Sequence, residues 1–224
     1  MTSSSNWARE AVSVLAKDVT SEFRTRYALS AVLLFAITAL AVVSFSVSPY
    51  SLEPDAQSAF LWTVLFFSAM TGLSRSFVRE EEGRTALALR LAAAPEAVYL
   101  GKLLFNVVLQ AAVSAVVLPL FLVLMDISVP LPGLLAASAA MGTLALASSS
   151  TIVAAIVSRA NSRGALFAVL AFPISLPGLA SAVRSSAVAL SGTGSASGDL
   201  MTLAAYSTLM IASSLLLFDY VWND

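Results

Sequence analysis

The chain has 224 residues and a formal net charge of −1, with 58% apolar and 11% charged side chains; a soluble domain carries roughly 45–50% and 25%. A soluble fold of this length has too little interior to hide so much apolar surface, so lipid must cover the rest, and the length suits a single domain over residues 1–224. The balanced charge, with no basic stripe and no interleaving of basic and aromatic residues, gives no footing for nucleic acid.

Met1 to Asn6 are polar, and no short apolar stretch with a processing site follows them. No cleavable signal peptide is expected, so the first long apolar run stays in the membrane. Residues 7–26 come before that run and are too polar to cross. Trp7, Ala11, Leu15, Val19 and Phe23 recur every four residues, with Val12 beside them. Arg9, Glu10, Lys17, Asp18, Arg24 and Arg26 fall mostly elsewhere on the helical wheel. The pattern predicts an amphipathic helix lying in the cytoplasmic interface, where a tryptophan and several arginines suit the headgroup layer. An ordinary solvated N-terminal helix is the alternative.

A membrane-spanning helix needs about 20 mostly apolar residues. Six runs qualify: Ala28 to Ser48, Gln57 to Phe77, Leu103 to Met125, Leu131 to Val157, a fifth over 165–183 that turns irregular at Pro173, and Leu200 to Val221. The fold class expected is an all-α integral membrane protein with six transmembrane helices. Arg9, Lys17, Arg24 and Arg26 precede the first span, Arg75, Arg79, Arg84, Arg90 and Lys102 follow the second, and Arg159 and Arg163 follow the fourth. On the opposite side Arg184 stands alone, and the loop at Pro49 to Ala56 holds Glu53 and Asp55 but no base. Lys and Arg collect on the cytoplasmic side, so both termini are expected there.

The loop between spans two and three, residues 79–95, holds the densest charge. It reads Arg79, Glu80, Glu81, Glu82, Gly83, Arg84, Thr85, then Ala86 to Ala94 and Pro95. Three consecutive carboxylates favour a helix N-terminus, where the macrodipole is positive. Ala86 to Ala94 has high helix propensity, and Pro95 ends that helix or starts the next. A short charged helix parallel to the membrane is a surface that a partner can grip. A solvated loop whose charges only set topology is the competing reading.

In span three, Asn106, Gln110 and Ser114 fall at i, i+4 and i+8 and form one polar stripe. Such groups bond across helices in a membrane, or else line a cavity. Span four is rich in small residues, with Ala136, Ala140, Gly142, Ala147 and Ser148 to Thr151, which suits close packing and an oligomer interface. Span five contains Phe172-Pro173-Ile174-Ser175-Leu176-Pro177-Gly178. Each proline removes a backbone donor, so the helix is expected to break there with its freed carbonyls kept from lipid, followed by a short helix dipping back from the outer side. A simple kink is the alternative. Arg184 either snorkels to the outer interface or attracts an anionic group of a substrate or partner. Ser191 to Gly198 reads as a flexible connector.

Cysteine and histidine are both absent. Disulfides, Cys/His zinc sites and the Ser-His-Asp or Cys-His nucleophiles go with them, and no metal site is expected. The two commonest side-chain ligands of haem iron are missing as well, leaving Met and Tyr. Gly101-Lys102-Leu103 lacks the spacing and the hydroxyl of a phosphate loop, so ATPase activity is expected on a separate chain. No span carries Asp, Glu, Lys or Arg near its middle, where secondary transporters and proton pumps keep them. No catalytic residue is expected.

Four stretches taken together resemble a known family: Arg24 to Leu29; Phe66 to Met70 continuing through Phe77 to Glu81; Tyr99 to Asn106; and Phe172 to Pro177. In order and placement, the chain from Lys17 to the last span is similar to the B subunit (CcmB-type) of the haem-exporting ABC complex of bacterial cytochrome c maturation. More broadly it resembles the six-helix, ABC-2-like exporter membrane domains. In those domains an acidic-Gly-Thr/Ser-Leu-Glu loop after span two leads into a coupling helix that meets the ATPase. Glu80, Glu81, Glu82, Gly83 and Thr85 match that idea, with Arg84 intruding between Gly83 and Thr85 and no Glu in Ala86 to Leu89. The resemblance implies a non-catalytic, multi-pass subunit in the bacterial inner membrane, with ATP on the partner and haem as cargo. It implies as partners an ABC ATPase dimer, a haem-handling membrane subunit, a small single-span subunit, a periplasmic haem chaperone and a second copy of the chain. It also implies a re-entrant segment after Pro173. A generic ABC-2 exporter subunit for lipid, polysaccharide or drug keeps the same fold with another cargo, and a passive assembly scaffold is the reading from a different class.

Overall fold

The structure is a computed structural model that describes residues 6–25, 27–46, 52–83, 85–158 and 163–223. Arg26, Ser48, Arg84 and Arg159, singled out above, lie outside the described residues. Within them the elements are α1 (Asn6–Thr25), α2 (Tyr27–Ser46), α3 (Pro54–Leu73), α4 (Val78–Glu82), α5 (Ala86–Ala92), α6 (Pro95–Leu124), α7 (Pro132–Val157), α8 (Arg163–Ser191) and α9 (Ser197–Asn223). Six of these, α2, α3, α6, α7, α8 and α9, are long and apolar enough to cross a membrane.

The third span is longer than its apolar run. Pro95 sits in the first turn of α6, where a missing N–H costs nothing, and the helix continues for 30 residues. That is about 45 Å at 1.5 Å per residue, against a hydrocarbon core of about 30 Å. The first turns of α6 therefore extend past the apolar layer and carry Lys102 with them.

α7 is the central helix and packs against α3, α6, α8 and α9. Its small residues are what allow this. Ser148 to Thr151, Ala147 and Ala154 are fully buried within the one chain. A Cβ at Gly142 would lie 2.0 Å from Cη2 of Trp62, so the indole of α3 occupies the space a side chain would need. Trp62 Nε1 in turn donates to Ser186 Oγ on α8 at 2.9 Å. Gly142 and Ala147 to Thr151 show the close packing expected of them inside the bundle, which closes them to an oligomer contact, while Ala136 and Ala140 stay exposed.

The break expected at Pro173 is also corrected. α8 runs unbroken from Arg163 to Ser191 with Pro173 and Pro177 inside it, and no separate re-entrant helix follows among the described residues. Both rings are exposed on the outer face of the helix, where no neighbour contests their bulk. The inner face of the same turn is pinned. Tyr206 of α9 donates its hydroxyl to the Ile174 carbonyl at 2.7 Å, and Ser175 Oγ lies 3.1 Å from Ser149 Oγ of α7. Packing on that side holds the helical path that the prolines alone would not.

Candidate functional site

α1, α4, α5 and the first turns of α6 meet at the basic end of the bundle. Gly101 determines how closely. A Cβ there would lie 2.6 Å from Val14 Cβ and 2.8 Å from the Ala11 carbonyl oxygen, so α1 crosses α6 almost backbone to backbone. The stripe of α1 turned inward is Ala11, Val14, Asp18 and Glu22, all buried. Trp7 and Val12, assigned to the apolar face by periodicity, are 47% and 59% exposed. Leu15 and Val19 flank the contact, half-buried. The helix thus turns two of its acids toward the protein.

Those acids have partners. Lys102 is 2% exposed, and its Nζ lies 2.7 Å from Glu80 Oε1 and 2.9 Å from Asp18 Oδ2. Lys17 also donates to Glu80 Oε1 and lies 3.4 Å from Asp18 Oδ1. The second oxygen of Glu80 accepts from the Thr85 hydroxyl, and the Thr85 N–H donates to the Glu80 carbonyl at 2.9 Å. Two ammonium groups face two carboxylates, so the buried cluster is neutral and its charges are compensated. Burial pushes the Glu80 carboxyl up, but the charge and hydrogen bond of Lys102, then Lys17 and Thr85, outweigh it and hold the group at about 2. Burial also works against the charge of Lys17, yet its hydrogen bond to Glu80 and the charges of Asp18 and Glu80 raise it above 10.5.

α1 is tied at two further points. Glu10 Oε2 accepts the Ala94 N–H at 3.0 Å, at the start of α6, and Glu22 Oε1 accepts the Leu29 N–H at 2.9 Å, in the first turn of α2. Between α1 and α5 runs a groove of about 440 Å³, lined by Arg9, Glu10, Ser13, Lys17, Leu89 and Ala92.

α5 is anchored on one side and bare on the other. Ala86 is buried, Leu89 packs against the core, and the Arg90 guanidinium stands 5.1 Å over the Trp222 ring at the end of α9. Trp222 stacks on Phe218, with centroids 5.5 Å apart, and Phe77 and Tyr99 pack on Phe218 at 5.6 and 5.4 Å. Leu87 and Leu91, one turn apart, are 67% and 83% exposed.

The residues singled out from sequence therefore occupy four places. Glu80 and Thr85 belong to the ion cluster. Arg79 lies in α4, Glu81 and Glu82 end it with charged or polar contacts of their own, and Gly83 forms the turn to α5. Asn106 and Gln110 lie mid-bundle and bond across helices: Asn106 Nδ2 donates to Thr151 Oγ1 at 2.9 Å and to Ser76 Oγ at 3.4 Å, and Gln110 Nε2 donates to the Leu65 carbonyl at 3.0 Å. Arg184 is near the opposite end, where its Nε donates to Asp199 Oδ1 at 2.8 Å. Pro173 and Pro177 sit on the outer face of α8. In the sequence Lys17, Asp18 and Lys102 stand out only as surface or topology charges, although an acid triplet and lysines confined to one side of the membrane are the trace they leave.

Among the described residues no three carboxylates converge on a point that could hold a metal. The cluster offers a mechanical joint between an outlying helical element and the membrane bundle. The model of the CcmB protein family matches residues 9–220, which takes in every member of the cluster. No curated protein matches the chain. Because that match runs from the amphipathic helix to the last turns of α9, the chain belongs to the CcmB family, the permease-type transmembrane subunit of the multi-subunit, haem-exporting ABC complex of cytochrome c maturation, a multi-pass inner-membrane protein that works with an ATPase partner.

Proposed function

We propose that α4 and α5 dock on a dimeric ATPase in the cytoplasm and pass its ATP-driven movement into the transmembrane helices. One observation carries this reading. Glu80 is bonded at once to α1, to α6 and to the turn that starts α5, so a push on α5 has no slack before it reaches the bundle. Arg90 over Trp222 gives a second route, into α9. Leu87 and Leu91 supply an apolar grip on the outside. Both termini then lie in the cytoplasm, and α1 lies along the interface beside the docked ATPase.

The output is haem export or, with neither His nor Cys available to hold haem iron, release of the haem-loaded periplasmic chaperone from a neighbouring haem-handling membrane subunit. A small single-span subunit and a second copy of this chain complete the assembly. The test is the double reversal Glu81→Lys/Glu82→Lys, together with Leu87→Asp/Leu91→Asp, in cells lacking the wild-type gene. Haem-stained membranes report c-type cytochromes and the loaded chaperone together, and ATP turnover is measured on the purified complex. Loss of cytochromes with loaded chaperone retained and ATP turnover uncoupled supports the release mechanism. Normal maturation in both variants would sink the coupling assignment.

A further inference from the structure

α8 is held unevenly along its length. Beyond Gly178, three hydrogen bonds fasten it to its neighbours. Ser58 Oγ of α3 donates to the Val183 carbonyl at 2.6 Å, Trp62 Nε1 donates to Ser186 Oγ at 2.9 Å, and the Leu131 N–H, just before α7, donates to the Ala189 carbonyl at 3.2 Å. Before Ile174, no hydrogen bond from another helix reaches α8 among the described residues. That first half rests on apolar contacts, with Phe167 and Ala171 buried and Phe172 edge-on to Phe66 at 5.8 Å.

The two halves join at Pro173–Pro177. Neither proline brings an N–H, so the carbonyls of Val169 and Pro173 have lost their helical donors. Proline is where a helix bends sharply, and both rings here are exposed. What holds the turn straight comes from other helices. Ser175 Oγ meets Ser149 Oγ of α7 at 3.1 Å, and Tyr206 of α9 donates to the Ile174 carbonyl at 2.7 Å. The Tyr206 ring lies against Gly178, where an added Cβ would stand 3.0 Å from its Cε1.

Tyr206 shares its helix with Trp222, over which the Arg90 guanidinium of α5 stands at 5.1 Å. From Tyr206 to Trp222, α9 holds neither proline nor glycine, so it is a rod about 24 Å long at 1.5 Å per residue. Leu209, Leu216, Leu217 and Tyr220 are exposed along it, so one side of the rod meets no other part of the chain.

We propose that Tyr206 is a positioning residue, the latch of a hinge in α8 at Pro173–Pro177. A shift of α9 draws the hydroxyl off the Ile174 carbonyl, and the first half of α8 then bends while the second half stays fixed. α5 delivers the shift through Arg90 and Trp222, and in that step the inference rests on the proposed function. Hydrogen bonds between helices inside a membrane are weak enough for such a latch, since losing one changes a two-state population only several-fold. A bend of about 20° at Pro173 moves Leu166, about 10 Å away along the helix, by about 4 Å.

The chain has no cysteine, so Leu166→Cys and Leu104→Cys, exposed on α8 and α6, take nitroxide labels at those two places alone. Pulsed electron resonance reads the distance between them on the chain assembled with a cysteine-free ATPase partner in lipid nanodiscs. It is read without nucleotide and with ATP held by a hydrolysis-dead ATPase. Without nucleotide, one dominant distance is expected, and ATP should add a second, displaced by about 4 Å. Tyr206→Phe should raise the second population about threefold to tenfold without ATP. Adding Pro173→Ala/Pro177→Ala, which restores both N–H donors, should remove it again, a reversal that a tyrosine serving only to fill space would not give. Co-purification of the ATPase reports that each variant is folded. An unchanged distance in folded Tyr206→Phe, or a second distance that survives both proline replacements, overturns the proposal. A second distance in Tyr206→Phe with none from ATP in the parent leaves the latch standing and refutes the coupling reading of α5. If maturation depends on Leu87 and Leu91 while neither ATP nor Tyr206→Phe moves the distance, the coupling reading stands and the latch falls.

Discussion

Replacing Lys102 by methionine removes the central positive charge of the ion cluster and keeps most of the side chain's length. Glu80 loses a partner at 2.7 Å and Asp18 one at 2.9 Å, while Lys17 and Thr85 remain. Glu80 is 5% exposed and Lys102 2%, but a cavity of about 280 Å³ borders Lys17, Asp18, Glu80 and Lys102, so water entering it offsets part of the loss. Holding the Glu80 carboxyl at about 2 rather than 4.5 corresponds to about 3 kcal/mol of stability at neutral pH. That shift is the joint work of Lys102, Lys17 and Thr85, so about 3 kcal/mol is the upper end expected for removing Lys102 alone, at the low edge of the cost of breaking a buried pair. For a chain of this length that is a fall of about 6–12 °C in the unfolding midpoint, read by tryptophan fluorescence on detergent-purified protein. The double variant Glu80→Gln/Lys102→Met removes both charges and should recover at least half of the loss. The folded pKa of Glu80 lies below its unfolded value, so its contribution is complete above pH 4.5 and is lost as pH falls from 4.5 toward 2. The advantage of the wild type over Lys102→Met should shrink across that window. A Lys102→Met protein within about 0.5 kcal/mol of wild type, or a double variant that loses the sum of the two single losses, would show that these groups do not act as a coupled unit.

Three other substitutions test the packing and the outer charge. Gly142→Ala drives a Cβ into Trp62 and should cost about 1–3 kcal/mol, partly restored by Trp62→Phe, with thermal unfolding as the readout. Gly101→Val should push α1 off α6 and speed proteolysis within α1 roughly tenfold; because the Ala11 carbonyl is part of the obstruction, Val14→Ala should not restore full protection. Arg184→Ala breaks a pair whose arginine side chain is 59% exposed, so it should cost less than about 1 kcal/mol and leave cytochrome maturation unchanged. Failed maturation with stability intact would instead mark Arg184 as a contact for substrate or partner.

Composition and apolar run length were enough to place six spans, because the bilayer demands a fixed length of apolar helix wherever the chain crosses. The charged loop at 79–95 was visible for a similar reason: bases and acids excluded from lipid accumulate where the chain leaves it. Local signals failed where a neighbour decided the outcome. Pro173 and Pro177 read as a break, since a proline's missing donor is a local fact; the Tyr206 and Ser149 hydroxyls that steady the turn belong to other helices. Ala147 to Thr151 read equally as close packing or as an oligomer interface, since small residues suit any close contact, and only the arrangement of α3, α8 and α9 around α7 makes that contact internal.

The same division runs through the functional site. Residue type and spacing by themselves determined that the chain lives in the membrane, has neither histidine nor cysteine, and gathers its charge at one end. They did not determine which lysine meets which carboxylate. Lys17, Glu80 and Lys102 are 63 and 22 residues apart, and a one-dimensional pattern holds no record of such a pairing. Tertiary structure decided it through Gly101, whose missing side chain lets α1 lie against α6 and brings Asp18 to Lys102 where both are buried and their charges must answer each other.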